Sequence, residues 1–300
     1  METTTKTLTS YGNCTLVQFE IRPESKFSFK PGGPEIITGG LIISESNGNG
    51  VVGKLIAVNN TGSFLLLTDA DVLSGAKQNR VLNKSTLLSP YSKTIIDVSC
   101  VERGRWQYTT RNFTSPATSA DATLRKTKAQ SLSEDMLQPE DNFRTQQKVW
   151  SHISFSLSEE GYASATESYS DLVFHKEKKQ KPRYPVFEPE NGCNGLAVLI
   201  DRKIACVDIF GTEEVYKHYF PKLRDSAFLQ AIAGKEKQVM DVHEAFFKVL
   251  DLLDRFETTE KTPDKSYSGA GLLSIRDGNE FVGVGLECEG QLIHCGLFGK

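Results

Sequence analysis

Residues 195–211, GLAVLIDRKIACVDIFG, align without a gap on residues 283–299, GVGLECEGQLIHCGLFG. Each copy reads as two strands around a polar turn, Asp201-Arg202 in the first and Glu289-Gly290 in the second, which is the pattern of a β-hairpin. Ala205, Val207 and Ile209, with Ile293, Cys295 and Leu297, make one wholly apolar face, leaving Cys206, Asp208 and His294 on the other. Between the copies, helical spacing starts near Thr212 and again near Gln238. The second helix carries Val242, Ala245, Phe246, Val249, Leu250, Leu253 and Phe256 on one stripe, which predicts that it covers a sheet face. Residues 191–300 are thus expected to form an α+β unit with both hairpins in one sheet.

Working outward from the repeat, residues 176–183 (KEKKQKPR) and the prolines that follow read as a mobile charged loop. Before it, residues 116–190 form a helical connector, with Asp121 near a first turn and Pro139 at the start of a second helix running through Val149, Trp150 and Ile153. Residues 1–115 read as short β segments separated by Gly, Asn and Pro clusters, which predicts an antiparallel sandwich or barrel-like unit. In its last strand Ile96, Val98 and Cys100 share one face, so Cys100 is expected inside. The fold class is α+β.

Composition narrows the function. A chain of 300 residues, 38% hydrophobic and 24% charged, has the balance of a globular protein. No apolar run spans a bilayer and the N-terminus lacks a signal-peptide pattern, so the expectation is a cytoplasmic protein without a membrane partner. The 6 cysteines are scattered without metal-ligand spacing, which predicts free buried thiols and no metal site, and no cofactor is indicated. Four Asn-x-Ser/Thr sequons carry little weight in such a protein. A net charge of −3 argues against a nucleic-acid coat.

The segment with most chemistry is GAKQNRVLN, residues 75–83, where Lys77, Gln78, Asn79 and Arg80 interrupt strand alternation. Lys and Arg offer charge-assisted bonds to phosphate, while Gln and Asn amides can orient a polar ring or sugar. The bland reading is a polar turn or a subunit contact in a homo-oligomer. In SCVERGRW, residues 99–106, continued parity puts Glu102 on the buried face, where it needs Arg80 or Arg105 as partner. Glu102 is then a general acid/base candidate and Trp106 a stacking surface, against an equally weighted structural ion pair. Cys100 lacks a nearby histidine and has core parity, which disfavours a nucleophile. Cys206, Asp208 and His294 make a secondary candidate if the two hairpins are neighbours, although a histidine on a half-buried strand is more often structural.

GAKQNRVLN followed by VSCVERGRW resembles the hallmark region of the family named for its association with ADP-ribosylglycohydrolase and rhodanese-phosphatase proteins. The likeness continues through LRKTK at 124–128, Val149-Trp150, residues 195–231, His294 and Phe298. Where that family commonly has a Gly-Glu-Glu-like stretch, this chain has Ala70-Asp71-Val72, leaving any acidic role there to Asp71. The resemblance implies a link to ADP-ribose metabolism by association and no specific activity. The resulting expectation is a protein that binds, and in its fullest form processes, a phosphorylated nucleotide-like ligand. Lys77 and Arg80 would hold phosphate, Gln78 and Asn79 would orient the ligand, and Arg105 and Trp106 would line the site. The alternative is a non-catalytic interaction or assembly module using the same block.

Overall fold

The computed structural model describes residues 2–46, 52–137, 143–232 and 240–300. Its first part runs through β1 (Glu2–Tyr11), β2 (Cys14–Arg22), β3 (Phe29–Pro31), α1 (Gly32–Thr38), β4 (Leu41–Glu45), β5 (Lys54–Asn59), β6 (Phe64–Leu67), β7 (Val72–Gly75), β8 (Arg80–Leu82), β9 (Thr86–Leu88), β10 (Ser92–Cys100) and β11 (Phe113–Thr114). Helices α2 (Ala122–Leu137), α3 (Phe143–Glu159) and α4 (Tyr169–Gln180) follow. The last part holds β12 (Gly195–Ile200), β13 (Lys203–Phe210), α5 (Glu213–Gln230), α6 (Val242–Thr258), β14 (Thr262–Pro263), β15 (Leu272–Asp277), β16 (Phe281–Cys288) and β17 (Gln291–Gly299). The class is α+β, and no described helix is long and apolar enough to cross a membrane.

Both predicted hairpins lie in one 8-stranded sheet, ordered β1-β2-β12-β13-β17-β16-β15-β14. Strands β13 and β17 are antiparallel neighbours with Asp208 opposite Gly296, Cys206 opposite Phe298 and Phe210 opposite His294. Because Asp208 and Gly296 are equivalent positions of the repeat, the pairing is symmetric about that point, and the two hairpins are related by a local two-fold. Each contains the same irregularity. Register slips between Val198 and Leu199 in one hairpin and between Leu286 and Glu287 in the other, leaving Ala205 and Ile293 as the extra residues. The wholly apolar face expected from strict alternation is corrected accordingly: Val207, Ile209, Cys295 and Leu297 keep it, whereas Ala205 and Ile293 pack on the opposite side.

The sheet is covered on both faces. Ala245, Val249 and Leu253 of α6 pack with Val17, Val207 and Leu297, as the helical stripe predicts. The other face packs Leu16, Val198 and Phe298 against Tyr216, Tyr219 and Phe220 of α5 and against α2. Thr212 caps α5 through the Val215 amide at 3.4 Å.

The 6-stranded sheet β11-β7-β8-β10-β5-β4 curls until its edges β4 and β11 touch, giving a nearly closed barrel beside the 3-stranded sheet β3-β6-β9. Leu41, Ile43, Leu55, Leu73, Leu82, Ile96 and Val98 fill its interior, as the parity of β10 predicts. Helices α3 and α4 cover its outside through Val149, Ile153, Leu172 and Val173 against Val72, Val81 and Val101.

Two expectations need correction. A boundary at residue 115 does not isolate an N-terminal unit, because β2 pairs with β12 from Gly195↔Phe19 to Ile200↔Cys14 and so belongs to the C-terminal sheet. Val17, Phe19 and Ile21 find their apolar cover there under α6. The charged run is not a loop over its first part: Lys176–Gln180 close α4, which Ser168 caps and Leu172 and Val173 anchor, and only a 3₁₀ turn at Lys181–Arg183 follows. Pro139 lies outside the described residues.

The symmetry makes a paired prediction. A Cβ at Gly211 would overlap the Leu292 carbonyl oxygen, and one at the equivalent Gly299 would overlap the equivalent Ile204 carbonyl oxygen. Gly211→Ala and Gly299→Ala are expected to destabilise the protein by similar amounts, about 1–3 kcal/mol each, as read by urea denaturation.

Candidate functional site

The polar block lies at one end of the barrel. Gly75 at φ +111° and Ala76 at φ +43° turn the chain left-handed, held by Asn79 Oδ1 accepting from the Gly75 amide at 3.0 Å and Thr110 Oγ1 accepting from the Ala76 amide at 2.9 Å. This turn supplies the break in alternation that Lys77 and Arg80 need to reach one place. Lys77 Nζ sits 5.2 Å from the Trp106 ring centroid and 5.2 Å from that of Tyr108, while the Arg80 guanidinium lies 5.6 Å from Trp106. Trp106 and Tyr108 are 47% and 48% exposed, so the rim is open to solvent.

Below the rim, Arg80 is fully buried. Cross-strand pairing of Arg80 with Cys100 and Leu73 puts it on the barrel's inner face, and Glu45, following Leu41 and Ile43 at alternate positions, enters that face from β4. Arg80 Nη2 lies 3.6 Å from Glu45 Oε1, and Nη1 donates to Gln78 Oε1 at 2.9 Å. Among the described residues, Arg80 Nε and Nη2, both Glu45 oxygens and the Ser46 hydroxyl are buried without a hydrogen-bond partner. Buried charges are ordinarily satisfied, so this concentration of unspent donors and acceptors marks the spot. Glu45 and Tyr108 were not singled out from sequence. Glu45 was detectable as a carboxylate at the inward parity of Leu41 and Ile43, and Tyr108 as a second aromatic two residues beyond Trp106.

Glu102 pairs with Arg105 at 2.6 Å, as the parity argument anticipated. It also accepts from the Asn79 amide at 3.2 Å and Thr166 Oγ1 at 3.0 Å. Burial pushes its carboxyl up, but Arg105 and the Asn79 amide outweigh burial and hold it below the ordinary range. Arg105 in turn donates to the carbonyls of Ala76 and Gln107 at 2.7 and 2.9 Å and to Asn79 Oδ1 at 3.2 Å. This arrangement clamps the loop bearing Trp106 against the 75–79 turn. A carboxylate kept charged by three donors serves that clamp better than it serves proton transfer.

The secondary candidates fall in a different place. Asp208 and His294 meet at 3.2 Å between the sheets, and His294 Nδ1 lies 2.9 Å from Ser85 Oγ. Arg125 of α2 bonds Asp208 through Nη1 at 2.8 Å and Nη2 at 2.5 Å, and bonds Asp69 through Nε at 2.8 Å and Nη2 at 3.0 Å. Lys128, one turn on, donates to the carbonyls of Asp69 and Leu82 at 2.5 Å each. Nearby, Asp71 is held by Lys222, by Tyr219 at 3.0 Å and by the Thr68 amide at 2.7 Å. Burial opposes the Asp208 charge, yet Arg125 and His294 keep its carboxyl far below the ordinary range.

Ser85, His294 and Asp208 line up as a Ser–His–Asp series, but each is buried, and the adjoining cavity beside Arg125 and Asp208 measures about 10 Å³. That is room for one water and not for a substrate. Cys206 shares this face, and burial pushes its thiol up, so it is a neutral core residue rather than a thiolate. All six cysteines are free and buried. Among the described residues no group of three His, Cys, Asp or Glu side chains is arranged to hold a metal ion.

A roomier cavity of about 390 Å³ opens between Pro23–Lys26 and the Gly290 turn. Its buried polar side chain, Asn194, is spent on the main chain of Ile21 and Phe210, and the Gln291 amide oxygen on Ser25, Lys26 and Phe27. Volume alone does not make it a site when its inner polar groups are used.

Fold and site together define an α+β protein in which a barrel and a covered sheet are joined by a buried ion network, with an underused charged pair at the barrel mouth. The model of the ARG and Rhodanese-Phosphatase-superfamily-associated Protein domain, ARPP-1, matches residues 3–298, and the chain belongs to that family. No curated protein and no solved structure matches it. The residues that carried the resemblance divide between the two constellations: 75–83 and 99–106 form the barrel mouth and its clamp, while Arg125, Lys128, His294 and Phe298 lie in or against the ion network.

The network predicts a pH signature. Burial brings the Lys128 ammonium from 10.5 down to about 7, with Asp69 opposing the shift. Between those values the unfolded chain binds the proton that the folded chain has released, so this residue makes stability rise with pH across the window. The melting temperature of the parent protein minus that of Lys128→Met is therefore expected to increase from pH 7 to pH 10. A difference that stays flat would show that Lys128 titrates as an ordinary lysine.

Proposed function

We propose that this protein binds a phosphorylated, ring-bearing ligand of the nucleotide type at the barrel mouth, with an ADP-ribose derivative as the form that the family's association suggests. The observation carrying this reading is the fully buried Arg80, whose unspent donors face the unspent carboxylate of Glu45 beneath the half-exposed rings of Trp106 and Tyr108. Barrel mouths are recurrent ligand sites, and exposed aromatic rings offer a stacking surface for a planar group. Lys77 brings positive charge to the rim. Gln78 and Asn79 act by holding the site's own parts, Gln78 bonding Arg80 and Asn79 bonding the Gly75 turn and Arg105.

A thermal-shift series with ADP-ribose, NAD and AMP tests the reading. A ligand present at 100 times its Kd is expected to stabilise the fold by about 2.7 kcal/mol, and Trp106→Ala, a change at a half-exposed position, is expected to reduce that shift while leaving the unliganded melt close to the parent's. If none of the three moves the melting temperature at millimolar concentration, the proposal falls.

A further inference from the structure

Arg80 does not stand alone in the barrel mouth. Glu45 lies 3.6 Å from its Nη2, on the same inner face, and both are buried. Their charges cancel at close range, and a phosphate brought to Arg80 would meet the Glu45 carboxylate at nearly the same distance. Bringing a second anion against a buried carboxylate is unfavourable in so poorly hydrated a setting. Arg80 is therefore ill placed to hold phosphate, contrary to what its residue type alone implies.

The donors and acceptors point to a different group. Gln78 takes Arg80 Nη1, leaving Nε and Nη2 as donors, with the Glu45 carboxylate beside them. The complement of a donor fork next to a carboxylate is a neutral edge with an acceptor adjoining an N–H, such as the amide, lactam or amidine edge of a heterocyclic base. The ring of Trp106 lies over the guanidinium and would be replaced or flanked by the incoming ring. At the rim, Lys77 sits between Trp106 and Tyr108 and carries the positive charge a phosphate would seek.

We propose that Arg80 and Glu45 together read the hydrogen-bonding edge of a neutral heterocyclic ring, and that the ligand's phosphate stays outside, at Lys77. This rests on the ligand-binding reading above and fixes its orientation: ring edge inward, phosphate toward solvent. The pair sets specificity by edge chemistry, and the phosphate adds a modest, salt-sensitive increment.

Calorimetric titration of the intact parent chain tests the orientation without relying on a variant. The probes are adenosine, guanosine, uridine and cytidine, the matching 5′-monophosphates, ADP-ribose, ribose 5-phosphate and inorganic pyrophosphate. At least one nucleoside is expected to bind, with its monophosphate about three to ten times tighter at low salt, and that advantage should shrink as salt rises. Ribose 5-phosphate and pyrophosphate should not bind. Lys77→Met is expected to bring the monophosphate down to the affinity of the nucleoside, and Glu45→Gln to change the order of preference among bases. If ribose 5-phosphate or pyrophosphate binds as tightly as the nucleotides, or nucleosides fail where nucleotides bind, the orientation is overturned while the ligand-binding reading stands. If no probe binds, both fall.

Discussion

Arg125 holds the two halves of this molecule together. Its guanidinium bonds Asp208 in the eight-stranded sheet and Asp69 in the loop leading into the barrel, while its own helix packs on β13, β16 and β17 and sends Leu124 into the cluster with Val72 and Val81 of the barrel. A buried cation between two carboxylates repays its desolvation only when every bond is made. Removing one member of such a group ordinarily costs about 3–5 kcal/mol, because the remaining charges are left without compensation. Geometry here is therefore tightly specified: the position of α2 fixes where the barrel sits on the sheet. His294, Ser85 and Lys128 complete the arrangement, each bonded within it. Their types invite a catalytic reading, but their burial assigns them to assembly of the fold.

The contrast with the barrel mouth is instructive. Both places contain buried Arg and carboxylate side chains, yet Arg125 uses its donors on two aspartates, while Arg80 retains donors beside a carboxylate that also lacks hydrogen bonds. Satisfied charges specify structure, and the unsatisfied pair near the open rim is the observation on which the proposed ligand site rests. The clamp of Glu102, Arg105 and Asn79 joins the two roles. It uses a fully engaged ion pair to hold the loop that presents Trp106 and Tyr108 above the unengaged one.

The repeated hairpins add a constraint of another kind. Two copies that bulge at Ala205 and Ile293, and that approach each other so closely at Gly211 and Gly299 that a methyl group would collide with a carbonyl, form a locally symmetric centre for the large sheet. The symmetry ends at Asp208, whose counterpart is Gly296. That single difference leaves room on one side for the Arg125 guanidinium, whose Nη2 lies close to where a Gly296 side chain would begin. Asp208 from one copy and His294 from the other thus share the space that Gly296 leaves open.

The sequence by itself determined what depends on neighbours along the chain. Alternation in β10 put Ile96, Val98 and Cys100 inside, the helical stripe of α6 marked its buried face, and the two hairpins followed from their similarity and turns. It also located the barrel-mouth block, because four consecutive polar residues defeat alternation wherever they fall. Parity, however, states that a side chain is buried without stating against what. Only the tertiary structure decided that β2 pairs with β12, that Glu45 is the carboxylate facing Arg80, that Glu102 turns to Arg105, and that Ser85 reaches His294 across 209 positions of sequence. These partners are chosen by charge compensation and the closing of sheets between distant segments, and neither leaves a periodic trace in the order of the residues.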